Sequence, residues 1–237
     1  MNIIRRNIPN AVTCLNIVSG CIAIAFAFRP YSSFCGTEGW IWSVTAIAAA
    51  AVFDFLDGFC ARMLQAYSDM GKELDSLCDL VSFGVAPAAI IFNMLAASGV
   101  CPTWTLWALL LIPVGGALRL AKFNIDTRQT TSFIGLPIPA NAIFWIGYAA
   151  LLADGLDILA RPYVALPVIV VMAWLMVSPL RLFSLKFKSP SWSANRLRYI
   201  FLILSVVLIA FFGLPSLCGV ILLYILLSAA SAVRSRR

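Results

Sequence analysis

The feature that most constrains this chain is a series of long apolar stretches, each near the length a helix needs to cross a membrane. A span requires about 20 predominantly apolar residues. We interpret eight stretches as spans, at residues 11–28, 40–62, 73–98, 103–122, 137–153, 162–180, 198–212 and 214–233. Residues 1–10 are basic and amphipathic, typical of a short segment lying at the membrane surface. The sequence therefore predicts an all-α fold, a polytopic transmembrane helical bundle of about eight spans.

Composition supports the same class. Hydrophobic residues make up 62% of the chain and charged residues 11%, whereas soluble domains average about 45–50% and 25%. The polar surface of a cytosolic enzyme is missing. In a chain this apolar, the net charge of +7 does not indicate nucleic-acid binding. The absence of histidine argues against zinc, haem and His-based acid–base chemistry. No linker interrupts the chain, so we expect one membrane domain over residues 1–237.

The basic residues predict how these spans are oriented. Lys and Arg concentrate in the cytoplasmic loops of membrane proteins. When both termini are placed in the cytoplasm, all 17 Lys and Arg residues except Arg29 and Arg161 fall on the cytoplasmic side. The pattern therefore favours an even number of spans with both termini in the cytoplasm.

Most of the acidic residues lie in one short stretch of the chain. Its members are Asp54, Asp57, Asp69, Glu73, Asp75 and Asp79. Asp54 and Asp57 are three residues apart, and Asp75 and Asp79 are four apart, so each pair lies on one face of a helix. Gly71 stands between the pairs, where we expect the chain to turn and bring the second helix back antiparallel.

Four convergent carboxylates repel one another unless a cation lies among them. Oxygen ligands favour Mg²⁺, Mn²⁺ or Ca²⁺, and four carboxylates suit a site for two such ions that also holds phosphate. Gly58 and Ala61 leave room for a ligand near the backbone, and Arg62 can pair with a phosphate. These residues alone leave two other interpretations open, a cation pathway in a transporter and a solvated helix end.

The acidic stretch also carries a recognisable motif. It reads Asp54-x-x-Asp57-Gly58-x-x-Ala61-Arg62, then eight residues, then Gly71-x-x-x-Asp75-x-x-x-Asp79. This pattern resembles the complete signature of the CDP-alcohol phosphotransferases. The resemblance implies an integral membrane enzyme, usually a homodimer, that displaces CMP from a CDP-linked lipid with an alcohol and uses two divalent metals.

A narrower resemblance is to the membrane-embedded phosphatidylserine synthases. It rests on residues 9–16, 73–88 and 119–124 together with 135–140, which implies a catalytic core at about residues 10–140. The implied reaction moves the phosphatidyl group of CDP-diacylglycerol to the hydroxyl of L-serine and releases CMP. Glycerol 3-phosphate or an inositol phosphate stays open as the acceptor, although either would call for a stronger basic cluster.

The resemblance also implies roles for individual residues. Asp54 and Asp75 would contact both metals, Asp57 one of them, and Asp79 the other while also serving as the general base. The positions implied for the CDP-lipid are Gly58, Arg62, Ser68, Thr13 and Asn16. For the carboxylate of serine we expect a cation, and the candidates are Arg119 and Lys122, with Asn124 and Ser82 as weaker ones.

Overall fold

The computed structural model describes residues 3–125, 132–183 and 192–234. Five basic residues that we assign to the cytoplasmic side lie outside the described residues: Arg128, Lys186, Lys188, Arg236 and Arg237. Everything below refers to the described residues.

Within this part of the chain, eight helices form the fold. They are α1 (Ile3–Ala27), α2 (Gly39–Leu64), α3 (Asp69–Ala97), α4 (Thr103–Ile125), α5 (Ile138–Ala153), α6 (Pro162–Val177), α7 (Trp192–Phe212) and α8 (Ser216–Arg234). Five of them, α1–α4 and α7, contain stretches long and apolar enough to cross a membrane, and the other three are shorter apolar helices. The predicted polytopic helical bundle is confirmed.

Two small antiparallel pairs of strands connect the helices. Strands β1 (Ser33–Phe34) and β2 (Thr37–Glu38) close the link from α1 to α2. Strand β3 (Ser132–Ile134) pairs with β4 (Arg181–Phe183) and so joins the segment before α5 to the segment after α6. The hydroxyl of Tyr224 donates to the Phe183 carbonyl oxygen at 2.9 Å, which fastens α8 to this second pair.

Helices α1 and α2 form a long antiparallel hairpin, and its small residues allow close packing. Ala23, Ala27 and Ala50 are fully buried, and the Ser43 hydroxyl donates to the Ala23 carbonyl oxygen at 2.6 Å. The first half of α3 packs against α1. The end of α2 and the beginning of α3, which carry the acidic residues, therefore lie together beside α1.

The basic N-terminal residues from Ile3 onward are continuous with α1, which includes Pro9, and the apolar stretch long enough to span a membrane begins at Asn7. One expectation about local structure is wrong. The turn between α2 and α3 is not at Gly71. Gln65 ends α2 in the left-handed conformation, with φ of 51°, and Ser68 caps the beginning of α3 through its hydroxyl, so Gly71 already lies in the first turns of α3.

Candidate active site

The four signature aspartates lie on the last part of α2 and the first part of α3, which both pack against α1. Ligand oxygens of Asp54, Asp57 and Asp75 all lie within 4.8 Å of one another. Asp57 Oδ2 and Asp75 Oδ1 are buried and have no hydrogen-bond partner in the described structure. Buried carboxylate oxygens without partners are costly, and a hard divalent cation prefers such ligands. This acidic triad is therefore able to bind a metal ion.

Asp79 lies deeper, beside the triad. It is 8% exposed, and its carboxylate is close enough to Asp54 for a hydrogen bond. Asn16 of α1 donates to Asp79 Oδ1 at 3.3 Å. The buried Arg119 of α4 attracts Asp79 electrostatically and lies over the Phe123 ring, 5.4 Å from its centre. Helices α1, α2 and α4 thus all contribute to the surroundings of Asp79.

A cavity of about 170 Å³ opens next to the triad. It is lined by Pro9, Asn10, Thr13, Asp57, Gly58, Ala61, Ala66, Tyr67, Ser68, Gly71, Lys72 and Asp75. Three of the five residues predicted to contact the CDP-lipid are among them: Thr13, Gly58 and Ser68. Arg62 lies beside Gly58, since its Nη1 atom is 3.7 Å from the position of a Cβ added there. The fifth, Asn16, points to Asp79 instead.

The local sequence explains why the cavity lies where it does. The Ser68 hydroxyl accepts a hydrogen bond from the Gly71 amide at 3.0 Å, a usual way to begin a helix. A Cβ at Gly71 would lie only 3.0 Å from Asn10 Oδ1 and from Ser68 Oγ. Gly71 therefore allows α1 and the α2–α3 turn to pack closely. The motif alone does not predict this contact with α1.

The C-terminal end of α4 is bound to α3 by a hydrogen-bond network. Lys72 Nζ donates to the Asn124 carbonyl oxygen at 2.8 Å, and Asn124 Nδ2 donates to the Ser76 hydroxyl at 3.0 Å. Asn124, a weak candidate for the serine pocket, is thus engaged with protein groups, and Lys122 is exposed. Sequence reasoning missed Lys72, although it lies one residue after the signature Gly71.

Directly after Asp79, helix α3 widens into a π-helical turn at Leu80–Val85. Such turns occur frequently at functional sites. Within it, the fully buried Ser82 donates to the main-chain oxygen of Asn16 at 3.0 Å. Ser82, our other weak candidate for the serine pocket, therefore holds α3 against α1 at Asn16, the residue that also contacts Asp79.

This contact requires a glycine on the opposing helix, and Gly20→Ala should destabilise the protein. A Cβ at Gly20 would lie 2.9 Å from Ser82 Cα and closer still to its hydroxyl, so the helices must separate. Overpacking of this kind costs about 1–3 kcal/mol, measurable as a lower midpoint of thermal unfolding in detergent. Gly219→Ala is the control, because a Cβ at Gly219 meets nothing within 4 Å. Equal midpoints for both variants would contradict this packing.

Comparison with known proteins identifies the family of this chain. The CDP-alcohol phosphatidyltransferase family profile matches residues 6–180. The chain belongs to the CDP-alcohol phosphatidyltransferase family.

Several similar proteins share one name, CDP-diacylglycerol–serine O-phosphatidyltransferase. The Mycobacterium leprae protein is 41% identical over 152 residues, covering 61% of this chain and 47% of the relative. The Methanocaldococcus jannaschii protein is 38% identical over 145 residues, covering 61% of each. The Helicobacter pylori protein is 32% identical over 224 residues, covering 90% of this chain and 89% of the relative. In the mycobacterial and archaeal cases the chain thus matches only about half to three-fifths of the relative.

Proposed function

We propose that this protein is a phosphatidylserine synthase that transfers the phosphatidyl group of CDP-diacylglycerol to the hydroxyl of L-serine and releases CMP. The observation that carries the proposal is the partly buried group of signature aspartates beside a cavity of about 170 Å³. The name shared by the relatives supports serine as the acceptor.

The acidic site is suited to two divalent cations, which would be Mg²⁺, Mn²⁺ or Ca²⁺. Asp54, Asp57 and Asp75 would hold one, and Asp79 together with Asp54 and Asp75 would hold the other. Bound there, the cations would offset the charge of the diphosphate and stabilise the departing phosphate of CMP. The unpartnered oxygens of Asp57 and Asp75 support this assignment.

The residues of the chain would bind the CDP-lipid at one end of the site and take the proton of serine at the other. Thr13, Gly58 and Ser68 line the cavity, and with Arg62 they would bind the CDP end of the lipid. Asp79 would accept the proton of the serine hydroxyl. The oxygen of that hydroxyl would attack the phosphorus that bears diacylglycerol. The bond from that phosphorus to the CMP oxygen breaks, and no covalent enzyme intermediate is needed.

Arg119 is the strongest candidate for binding the carboxylate of serine. It is buried and already interacts with Asp79, so a carboxylate there would lie close to the base. Lys122 would contribute at longer range from its exposed position, whereas Asn124 and Ser82 would help by fixing the helices around the pocket.

The acceptor is tested by supplying purified protein with CDP-diacylglycerol and Mn²⁺ and measuring CMP release with three acceptors. We expect release with L-serine and little with glycerol 3-phosphate or inositol phosphate. Preference for either phosphate-bearing acceptor would assign the chain to another branch of the family. Cation flux through vesicles without any CMP release would support a transporter and overturn the proposal.

We further propose that the site opens to the cytoplasm, that both termini lie there and that the protein is a homodimer among membrane lipids. The distribution of basic residues supports the orientation.

In a background without other cysteines, Met70→Cys near the site should react with an impermeant maleimide only after cells are permeabilised. The exposed Cys35 of the β1–β2 turn, retained alone, should react in intact cells. The reverse pattern would contradict this orientation.

A further inference from the structure

Asn16 of α1 is a fully buried polar residue whose contacts differ from those of a nucleotide-binding residue. Thr13, one turn earlier, lines the cavity, and Asn16 is not among the lining residues in the described structure. Its side-chain nitrogen donates to Asp79 Oδ1 at 3.3 Å, and its main-chain oxygen accepts from Ser82 at 3.0 Å. Asn16 therefore belongs to the end of the site where the acceptor would react.

The amide oxygen of Asn16 is left without a partner. Oδ1 is buried and accepts no hydrogen bond within the described part of the protein. Native structures rarely leave such an atom unpaired, and the Nδ2 bond to Asp79 fixes which way the amide points. The free oxygen is thus an acceptor held beside the proposed base, in a position to receive a donor from a bound molecule.

The chemistry of serine supplies such a donor. Its ammonium is on the carbon next to the one that bears the hydroxyl, so a hydroxyl placed at Asp79 brings the ammonium close to the neighbours of Asp79. Arg119, the cationic neighbour of Asp79, would attract the carboxylate and repel the ammonium. Asp54 also lies beside Asp79, but its oxygens are assigned to the metal ions above. The unpartnered oxygen of Asn16 is therefore the acceptor left for the ammonium.

We propose that Asn16 determines acceptor specificity: Nδ2 positions the Asp79 carboxylate, and Oδ1 accepts a hydrogen bond from the ammonium of the acceptor. This inference rests on the proposed synthase function and deepens it. It gives a physical reason why glycerol 3-phosphate and inositol phosphate, which have no ammonium, would be poor acceptors, since they would leave Oδ1 unpaired.

The test compares L-serine with 3-hydroxypropionate, which has the same hydroxyl and carboxylate but no ammonium. The wild-type kcat/KM should favour serine by about ten- to a hundredfold, the usual value of a hydrogen bond to a charged group. Asn16→Leu removes both amide functions, and its preference should fall to near one. Asn16→Asp keeps an acceptor for the ammonium but no longer donates to Asp79, so it should retain the preference and lose turnover with both acceptors.

Thr13→Val is the matched control, a buried polar residue on the same helix one turn away. It should raise the KM for CDP-diacylglycerol and leave the preference for serine unchanged. If Asn16→Leu elutes as an aggregate in size-exclusion chromatography, the smaller and still polar Asn16→Ser takes its place, with the same loss of preference expected.

Two results would overturn the inference. An unchanged serine preference in Asn16→Leu or Asn16→Ser would restrict Asn16 to positioning, and if the KM for CDP-diacylglycerol rose as in Thr13→Val, Asn16 would belong to the nucleotide pocket. Both results leave the synthase function standing, because the wild type is active with serine. A wild type that forms no phosphatidylserine refutes the synthase function and this inference together.

Discussion

Asp79→Asn should reduce turnover by about 10²–10⁴, the usual contribution of a general base. Asparagine has nearly the shape of aspartate and can still offer an oxygen to a metal, but it does not take the proton from the serine hydroxyl. Because Asp79 lies on the acceptor side of the acidic triad, affinity for CDP-diacylglycerol should change much less. The measurement is kcat at saturating Mn²⁺ and serine, with CDP-lipid binding measured on the same preparation.

Asp54→Asn is the comparison that separates the two roles. Asp54 belongs to the triad and also lies beside Asp79, so its loss should weaken metal binding and CDP-lipid binding together. Near-normal turnover in Asp79→Asn would mean that Asp79 is not the base. Equal weakening of CDP-lipid binding in both variants would assign Asp79 to metal binding only.

Removal of divalent cations should abolish activity. The described acids around the cavity are not balanced by an equal number of cations, because three cations, Arg62, Lys72 and Arg119, lie near four aspartates. A diphosphate would add further negative charge, so we expect neither binding nor transfer without metal. CMP release should vanish in EDTA and return when Mn²⁺ or Mg²⁺ is added in excess.

The control for chelation is the integrity of the protein. The size-exclusion profile should be the same with and without EDTA, so that loss of activity reflects the site and not unfolding. Full turnover in a preparation shown by elemental analysis to be free of divalent metals would refute the metal role of the aspartates.

The features that could be predicted from sequence are those with a strong physical constraint. Apolar stretches near 20 residues long must become helices in a membrane, and eight helices are observed in the described residues. The spacing of Asp54, Asp57 and Asp75 places them on helix faces, and the structure brings them within 4.8 Å. The ends of helices are harder to predict from sequence. The turn after α2 depends on Gln65 adopting a left-handed conformation, which its residue type does not favour.

The contacts between helices could not be predicted in the same way. Asn16 and Thr13 are both polar residues on one helix, and only the packing of α1 against α3 shows that one meets Asp79 and the other lines the cavity. The π-helical turn after Asp79 has no sequence signal in a run of apolar residues. From sequence alone, Lys72 is indistinguishable from any basic residue at a membrane surface. Only the structure shows its hydrogen bond to the Asn124 carbonyl oxygen.

The most direct test of the account follows isotopically labelled L-serine in vesicles that contain the purified protein, CDP-diacylglycerol and Mn²⁺. Mass spectrometry of the extracted lipids should find labelled phosphatidylserine in an amount equal to the CMP released. CMP released without labelled phosphatidylserine, or a different phospholipid formed in its place, would contradict the central claim.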